Sequence, residues 1–393
     1  MTGPSIPITK IVIGDEELRA VQLPLESGWV VQGPYVAEFE EKFSASTGAA
    51  HSIATSSCTT ALHIAVAALG LGPGDEVIVP AYTWISTANV AEYMGAKPIF
   101  CDIDLATFNL DPAAFERLIT PQTVGVIPVH LFGLPADMTP ILELASAHGL
   151  WVVEDCACSL GGWYQGRHTG SFGHAGCFSF HPRKSITTGE GGMITTGDSE
   201  LAALARSLRD HGASRSDRQR EVSSGAFLLS EYRHLGFNFR MTDIQGALGS
   251  VQMDRVDSVL RLRRERAARY DTLLAEVGWL RTPVVPVGVV HGYQAYVTLF
   301  APEEPTLGNV AALHERRNRL MQRLEERGIA TRQGTHSPVL SEFYAERYGL
   351  SPADFPSSVI ADKLSLALPL YPQLTDDEQD RVVRELCEAF EAV

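Results

Sequence analysis

Apolar and polar positions along this chain follow two different periods. Val36, Phe39 and Phe43 recur at the three- and four-residue spacing of a helix face, which predicts a helix over 35–47 after a first one over 15–25. Short apolar runs then take over. Residues 51–54, 76–80, 97–102, 124–129 and 151–155 read as strands, and the stretches between them, 61–69, 84–94, 112–119 and 140–148, as helices. Strand and helix in alternation predict an α/β domain with a mostly parallel sheet, its ligands held beyond the C-terminal strand ends. Thr59, His130 and Asp155 all fall at such ends. A further run, with Phe178 and Phe180 alternating, leads through Pro182 to Lys184, then to glycines 189, 191 and 192 and a second apolar run from Met193 to Thr196. That pattern predicts strand, tight loop, strand, with the lysine fixed at the loop.

Beyond it the pattern changes. Helices are predicted over 199–208 and, with a long amphipathic pattern, over 242–274, with a polar surface loop over 214–230 between them. A strand at 298–300, a charged helix at 309–327, a short strand at 329–332, a proline-punctuated tail and a closing helix at 376–392 suggest an α+β unit. The expected division is an N-terminal arm and large α/β domain over 1–250. A linking helix and small C-terminal α+β domain would occupy 251–393.

The 393 residues suffice for such a core, and 45% hydrophobic with 20% charged residues is ordinary for a globular protein. A net charge of −15 argues against nucleic acid or an anionic membrane surface as partner, so an anionic ligand needs local donors. No apolar run is long enough for a membrane span. Six scattered cysteines and an N-terminus without a basic-then-apolar leader pattern predict a cytoplasmic protein. Cys156 and Cys158 are too close together, with no partner pair, for a zinc site, and no metal is expected.

The residues at the strand ends match the needs of one cofactor, pyridoxal 5'-phosphate (PLP). Its chemistry takes a lysine amine, a carboxylate that keeps the pyridine nitrogen protonated, an aromatic ring over the cofactor and a phosphate cradle. Lys184, Asp155 and Trp84 supply the first three, and the hydroxyls of Thr59, Thr60 and Ser179 the last. The run T-S-S-C-T-T at 55–60 lies between a strand and a helix, where free N–H groups make an anion site.

These motifs lie in blocks that resemble one family. S-S-C-T-T-A-L-H at 56–63, G-P-G-D-E-V-I-V-P-A-Y-T at 72–83, D-I-D-L-A-T-F-N-L-D at 102–111, P-V-H-L-F-G at 128–133, E-D-C-A at 154–157, F-S-F-H-P-R-K at 178–184 and L-G-F-N-F-R-M-T-D-I-Q at 235–245 are similar to the DegT/DnrJ/EryC1/StrS sugar aminotransferases. The resemblance covers nearly the whole chain and implies the aspartate aminotransferase fold (fold type I). It implies that Lys184 is the Schiff-base lysine and the acid and base of the reaction. Asp155 would be the partner of the pyridine nitrogen and Trp84 the stacking ring. Thr59 and Ser179 would be phosphate ligands, and Asn238 a residue that reaches the phosphate of the other subunit in a homodimer. Arg240 is a candidate interface or substrate cation. Two positions depart from the family: Cys58 stands where glycine is usual in the phosphate turn, and Cys158 where a glutamine often contacts the cofactor.

The implied reaction moves an amino group from L-glutamate or L-glutamine to a keto-sugar, nucleotide-linked in this reading. A dehydratase on the same fold is the alternative, but those relatives carry histidine at the position of Lys184. A cofactor-binding regulator without turnover is a third reading, and it has no need of an imine-forming lysine. Candidate substrate contacts are the loop from Trp29 to Gly33, His181, Tyr293, Tyr296, Arg332 and His336.

Overall fold

A computed structural model of the protein describes residues 4–214 and 230–392. Two helices, α1 (Asp15–Ser27) and α2 (Pro34–Thr47), precede a run of alternating elements. These are β1 (His51–Thr55), α3 (Cys58–Ala68), β2 (Glu76–Pro80), α4 (Ser86–Tyr93), β3 (Lys97–Cys101), α5 (Pro112–Leu118), β4 (Thr123–Val126), α6 (Met138–His148) and β5 (Trp151–Asp155). A small hairpin, β6 (Trp163–Tyr164) and β7 (Arg167–His168), leads to β8 (Ala175–Ser179), β9 (Gly192–Thr196) and α7 (Ser199–Arg209). Seven strands form one sheet in the order β1-β9-β8-β5-β4-β2-β3, with β9 antiparallel to both neighbours and the others sharing one direction.

The near-continuous apolar character of β2 and β5 follows from cover on both faces. Successive side chains point to opposite sides, so Val77 and Val79 pack with Leu62 and Ala65 of α3, while Ile78 joins Phe115 of α5 and Ile141 of α6. A mixed central sheet flanked by helices is the PLP-dependent transferase fold type I that the family resemblance implies.

The remaining elements are α8 (Asp243–Asp254), α9 (Val256–Leu273), β10 (Leu280–Arg281), β11 (Val289–Val290), β12 (Tyr296–Phe300), α10 (Val310–Glu326), α11 (Glu342–Tyr348), α12 (Pro356–Leu364), β13 (Ser365–Leu368) and α13 (Asp376–Phe390). Strands β10, β12 and β13 make an antiparallel sheet. Its core includes Leu313, Leu320 and Leu324 of α10 and Val382 and Leu386 of α13. Among the described residues no helix is long and apolar enough to cross a membrane.

Some expectations need correction. The single helix over 242–274 is two helices, because Arg255 leaves helical geometry (φ −113°, ψ 5°) where its guanidinium pairs with Glu16 and Glu17 of α1. The strand at 329–332 does not form as a ladder: Ile329 bridges to Ile6 and Arg332 to Ala367, so the segment changes partner midway. Helix α3 starts at Cys58 rather than 61, because Ser57 caps it by accepting the Thr60 N–H. The loop expected over 214–230 lies, apart from its two ends, outside the described residues.

Two buried histidines are locked in neutral form by their partners. His168 Nδ1 donates to the Thr169 carbonyl (2.7 Å) while Nε2 accepts from Gly161 N–H (2.9 Å). His291 Nδ1 accepts from Tyr293 N–H at 2.8 Å. Burial pushes His168 down to about 4 and His291 down to about 3. Below the ordinary value of 6.5 the unfolded chain therefore takes up protons that the native chain refuses. Stability should fall as pH drops from 6.5 towards 4, by on the order of 1 kcal/mol per pH unit for each histidine. Thermal unfolding midpoints at pH 7 and pH 5 check this, and equal midpoints would contradict it.

Candidate active site

The site grows from the C-terminal ends of β1, β2, β5 and β8. At the end of β1 the chain turns straight into α3, and the first N–H groups of that helix, those of Cys58 and Thr59, have no carbonyl one turn earlier to bond. They form a local anion cradle in a chain of net charge −15. Gly192 brings β9 against this turn: a Cβ there would lie 2.3 Å from the Ser57 carbonyl oxygen. The Thr59 hydroxyl donates to Ser86 Oγ at 2.9 Å. Cys58 lies in helical backbone, so no positive φ forbids a side chain there, and its thiol turns away to the Cys177 carbonyl (3.3 Å). Its part in a cradle is therefore its backbone N–H. Ser179 ends β8, where its hydroxyl accepts a long bond from His181 N–H (3.4 Å).

Asp155 ends β5 and is buried. Its Oδ2 accepts the Thr87 hydroxyl (2.8 Å) and its Oδ1 the Ala157 N–H (3.1 Å). Burial raises its pKa above the ordinary carboxylate value, and those two bonds together with the Lys184 charge offset only part of the rise. The amine of Lys184 lies 3.1 Å from Cys158 Sγ. Burial disfavours the ammonium, but Cys158, Cys58 and Asp155 outweigh it and hold the lysine above its usual pKa. Trp84 is 59% exposed and sits beside the ring of His336, 5.8 Å between centroids. A buried carboxylate, an amine, an exposed indole and a helix N-terminus thus converge, and this donor set fits PLP.

The other candidates divide. His336 belongs to the site, since its carbonyl also accepts the Thr83 N–H (3.0 Å). His181 accepts the Lys184 backbone N–H on its carbonyl (2.8 Å) and the Arg183 N–H on Nδ1 (3.2 Å), so its described bonds shape the lysine turn. Trp29 Nε1 donates to the Gln32 carbonyl (3.3 Å), and its ring packs at Gly33 beside Asp243. Arg332 is exposed and bonds the neighbouring Thr331 carbonyl (2.9 Å). Tyr293 and Tyr296 are core residues: one stacks on His291, and the other donates to Asp271 (2.6 Å). Arg240 is taken by Asp210 in an ion pair. Asn238 is exposed, on a segment whose Phe239 carbonyl accepts the Ser56 N–H (2.9 Å) and so borders the cradle.

His130, Glu154 and Cys156 form a close buried group. Glu154 accepts from His130 (2.9 Å) and from the N–H groups of Gly170, Phe172 and Gly173, while His130 Nδ1 accepts from Ala136 N–H (3.0 Å). Their lone pairs serve the fold, fixing the loop after β7. The sequence reading missed Ser86 and Thr87, and the only signal was their place four or fewer residues past the end of a strand-end turn that also holds Trp84.

A sequence model of the DegT/DnrJ/EryC1/StrS aminotransferase family matches residues 12–387. The chain belongs to this family. The spore coat polysaccharide biosynthesis protein SpsC of Bacillus subtilis is 40% identical over 379 residues, 96% of this chain and 95% of the relative. GDP-perosamine synthase of Caulobacter vibrioides is 40% identical over 364 residues, 92% of each chain. Among solved structures, S. venezuelae DesV in complex with a ketimine intermediate superposes with a TM-score of 0.87 at 32% identity, covering 100% of both chains. As a member of the DegT/DnrJ/EryC1/StrS family the protein is a PLP-dependent sugar aminotransferase.

Cys158 stabilises the ammonium form of Lys184, so Cys158→Ala should lower the lysine pKa. The rate at which cofactor-free protein takes up PLP should then rise at lower pH in the variant than in the wild type. Superimposable pH profiles would show that the sulfur has no such effect.

Proposed function

We propose that the protein transfers the amino group of L-glutamate or L-glutamine to a nucleotide-linked keto-sugar, with Lys184 as the cofactor-binding amine. The observation that carries this reading is that the Lys184 amine feels the charge of the buried Asp155, which Thr87 bonds from the same turn that carries the exposed indole of Trp84. The nucleotide link is supported by the 40% identity to GDP-perosamine synthase, which is named for a nucleotide sugar.

PLP supplies an electron sink for the pair released when the donor's Cα proton leaves. Lys184 would hold the cofactor and, when its amine is free, would take up that proton and return it. Because it serves in both directions, one residue suffices for donor and acceptor halves. Asp155, kept ionised, would hold a proton on the pyridine nitrogen, and Trp84 would cover the ring. The N–H groups of Cys58 and Thr59 with the Ser179 hydroxyl would hold the phosphate, while the Thr59 hydroxyl gives its own hydrogen to Ser86. Cys158 stands beside the lysine and would meet the cofactor there, and the substrate contacts in this reading are His336, which lies beside Trp84, and Trp29, His181 and Arg332.

In this reading residues 1–250 form the cofactor-binding unit and 251–393 the smaller unit. The active enzyme is a cytoplasmic homodimer. Exposed Asn238 completes the phosphate site of the other subunit, supported by the 64% exposure of Tyr232 and 93% of Leu235 on the same segment. The presence of Lys184 disfavours the dehydratase.

A purified, PLP-loaded sample should show a visible absorption band that bleaches on adding L-glutamate or L-glutamine, and nucleotide keto-sugars should restore it. A band indifferent to both donors would overturn the donor assignment. Lys184→Ala should abolish turnover with the fold intact, as followed by circular dichroism. Asp155→Ala should slow turnover by about 10²- to 10³-fold, comparable to losing one preorganised electrostatic contact. A near-normal rate in either variant would sink the corresponding role.

A further inference from the structure

One turn of chain, T-W-I-S-T at 83–87, meets His336, Thr59 and Asp155 at once. Thr83 follows β2 by three residues, and its N–H donates to the His336 carbonyl (3.0 Å). Trp84 presents its indole beside the His336 ring. Ser86 accepts the hydroxyl hydrogen of Thr59 (2.9 Å). Thr87 is fully buried, donates to Asp155 Oδ2 (2.8 Å), and lies 3.1 Å from the Thr83 hydroxyl.

We propose that Thr87 and Ser86 are positioning residues of this aminotransferase: Thr87 keeps the Asp155 carboxylate ionised and aimed, and Ser86 completes the phosphate cradle through Thr59. The inference rests on the roles assigned above to Asp155 and Thr59.

A carboxylate withdrawn from water drifts towards its neutral acid, and a neutral acid pairs poorly with a ring N–H⁺. Donors to the charged form oppose that drift. Ala157 N–H fixes one oxygen of Asp155 and Thr87 the other, so the plane of the carboxylate is set by two bonds from different elements. Thr87 spends its own hydrogen on Asp155, so Thr83 must be the donor between the two threonines. The direction of the chain is therefore Thr83 to Thr87 to Asp155, and the backbone of Thr83 ties it to the segment that carries His336. At the other side of the turn, Thr59 gives its hydrogen to Ser86. The hydrogen of Ser86 is then the one left to turn towards an anion at the start of α3. Residues 83–87 thus tie to one segment the groups that would meet the ring nitrogen, the ring face and the phosphate.

The test compares wild type, Asp155→Ala, Thr87→Val, Thr87→Ser and Ser86→Ala in the full-length protein. Two readouts apart from turnover are taken: the dissociation constant of PLP from the cofactor-free protein, and the pH at which the bound ring nitrogen loses its proton, followed by absorbance and nitrogen NMR. Thr87→Val, nearly the same shape without the hydroxyl, should weaken PLP binding by roughly ten- to a hundredfold and move that loss of the proton to lower pH. Thr87→Ser should restore both. Ser86→Ala should weaken binding by about tenfold with the pH profile unmoved. If Thr87→Val behaves as wild type while Asp155→Ala is impaired, Thr87 only packs and the proposal fails, leaving the role of Asp155 intact. If Asp155→Ala also behaves as wild type, the role of Asp155 falls and the proposal with it. Should Thr87→Val fail to fold, Thr87→Cys takes its place, and wild-type values on both readouts overturn the role of Thr87.

Discussion

Asp155 is a carboxylate removed from water at the end of a central strand, and much of the site is arranged around keeping it there. Such a group is costly to bury unless donors meet it. The donors come from separate elements: Thr87 from the start of α4, Ala157 from the loop after β5, and Lys184 as a nearby charge from the turn after β8. The sheet order makes this possible, because β5 lies beside β8 and two strands from β2. Strand ends that are far apart in sequence therefore surround one carboxylate.

The same ends solve a second electrostatic problem. A chain with a net charge of −15 repels an anionic ligand at long range, so attraction has to be local. Oriented N–H groups at the start of α3 supply it without adding a cation, and Gly192 lets β9 approach that turn closely. Neighbouring polar groups have a different fate. Glu154 is adjacent to Asp155 in sequence but points to the other face of β5, where His130 and three backbone N–H groups hold its pKa down despite burial. Adjacent carboxylates on one strand are thereby split between structure and chemistry by the period of two.

Family membership places this chain among sugar aminotransferases, and its two departures can now be located. The side chain of Cys58 bonds within the sheet layer and leaves its N–H for an anion, so the turn accepts a thiol in place of glycine. Cys158 approaches the lysine itself. Tyr232 and Leu235, both exposed, lie on the same segment as Asn238.

Periodicity and motif carried most of the architecture. The order of strands and helices through β5 and the lysine turn between two strands were legible, because apolar period and short-range turn chemistry are local properties. Lys184, Asp155, Trp84 and Thr59 stood out from the same patterns as candidates. Helix ends were legible less well, since a cap such as Ser57 shifts them by a few residues. The break at Arg255 was invisible, because it coincides with charges on α1 more than two hundred residues away in sequence. Tyr293 and Tyr296 looked like substrate donors by composition, and only packing against His291 and Asp271 makes them core. Thr87 and Ser86 carried no motif of their own. The sequence alone determined the fold class and the chemical groups on offer. The tertiary structure decided which of them meet, because a hydrogen bond across the sheet depends on strand order and side-chain direction, which no local pattern encodes.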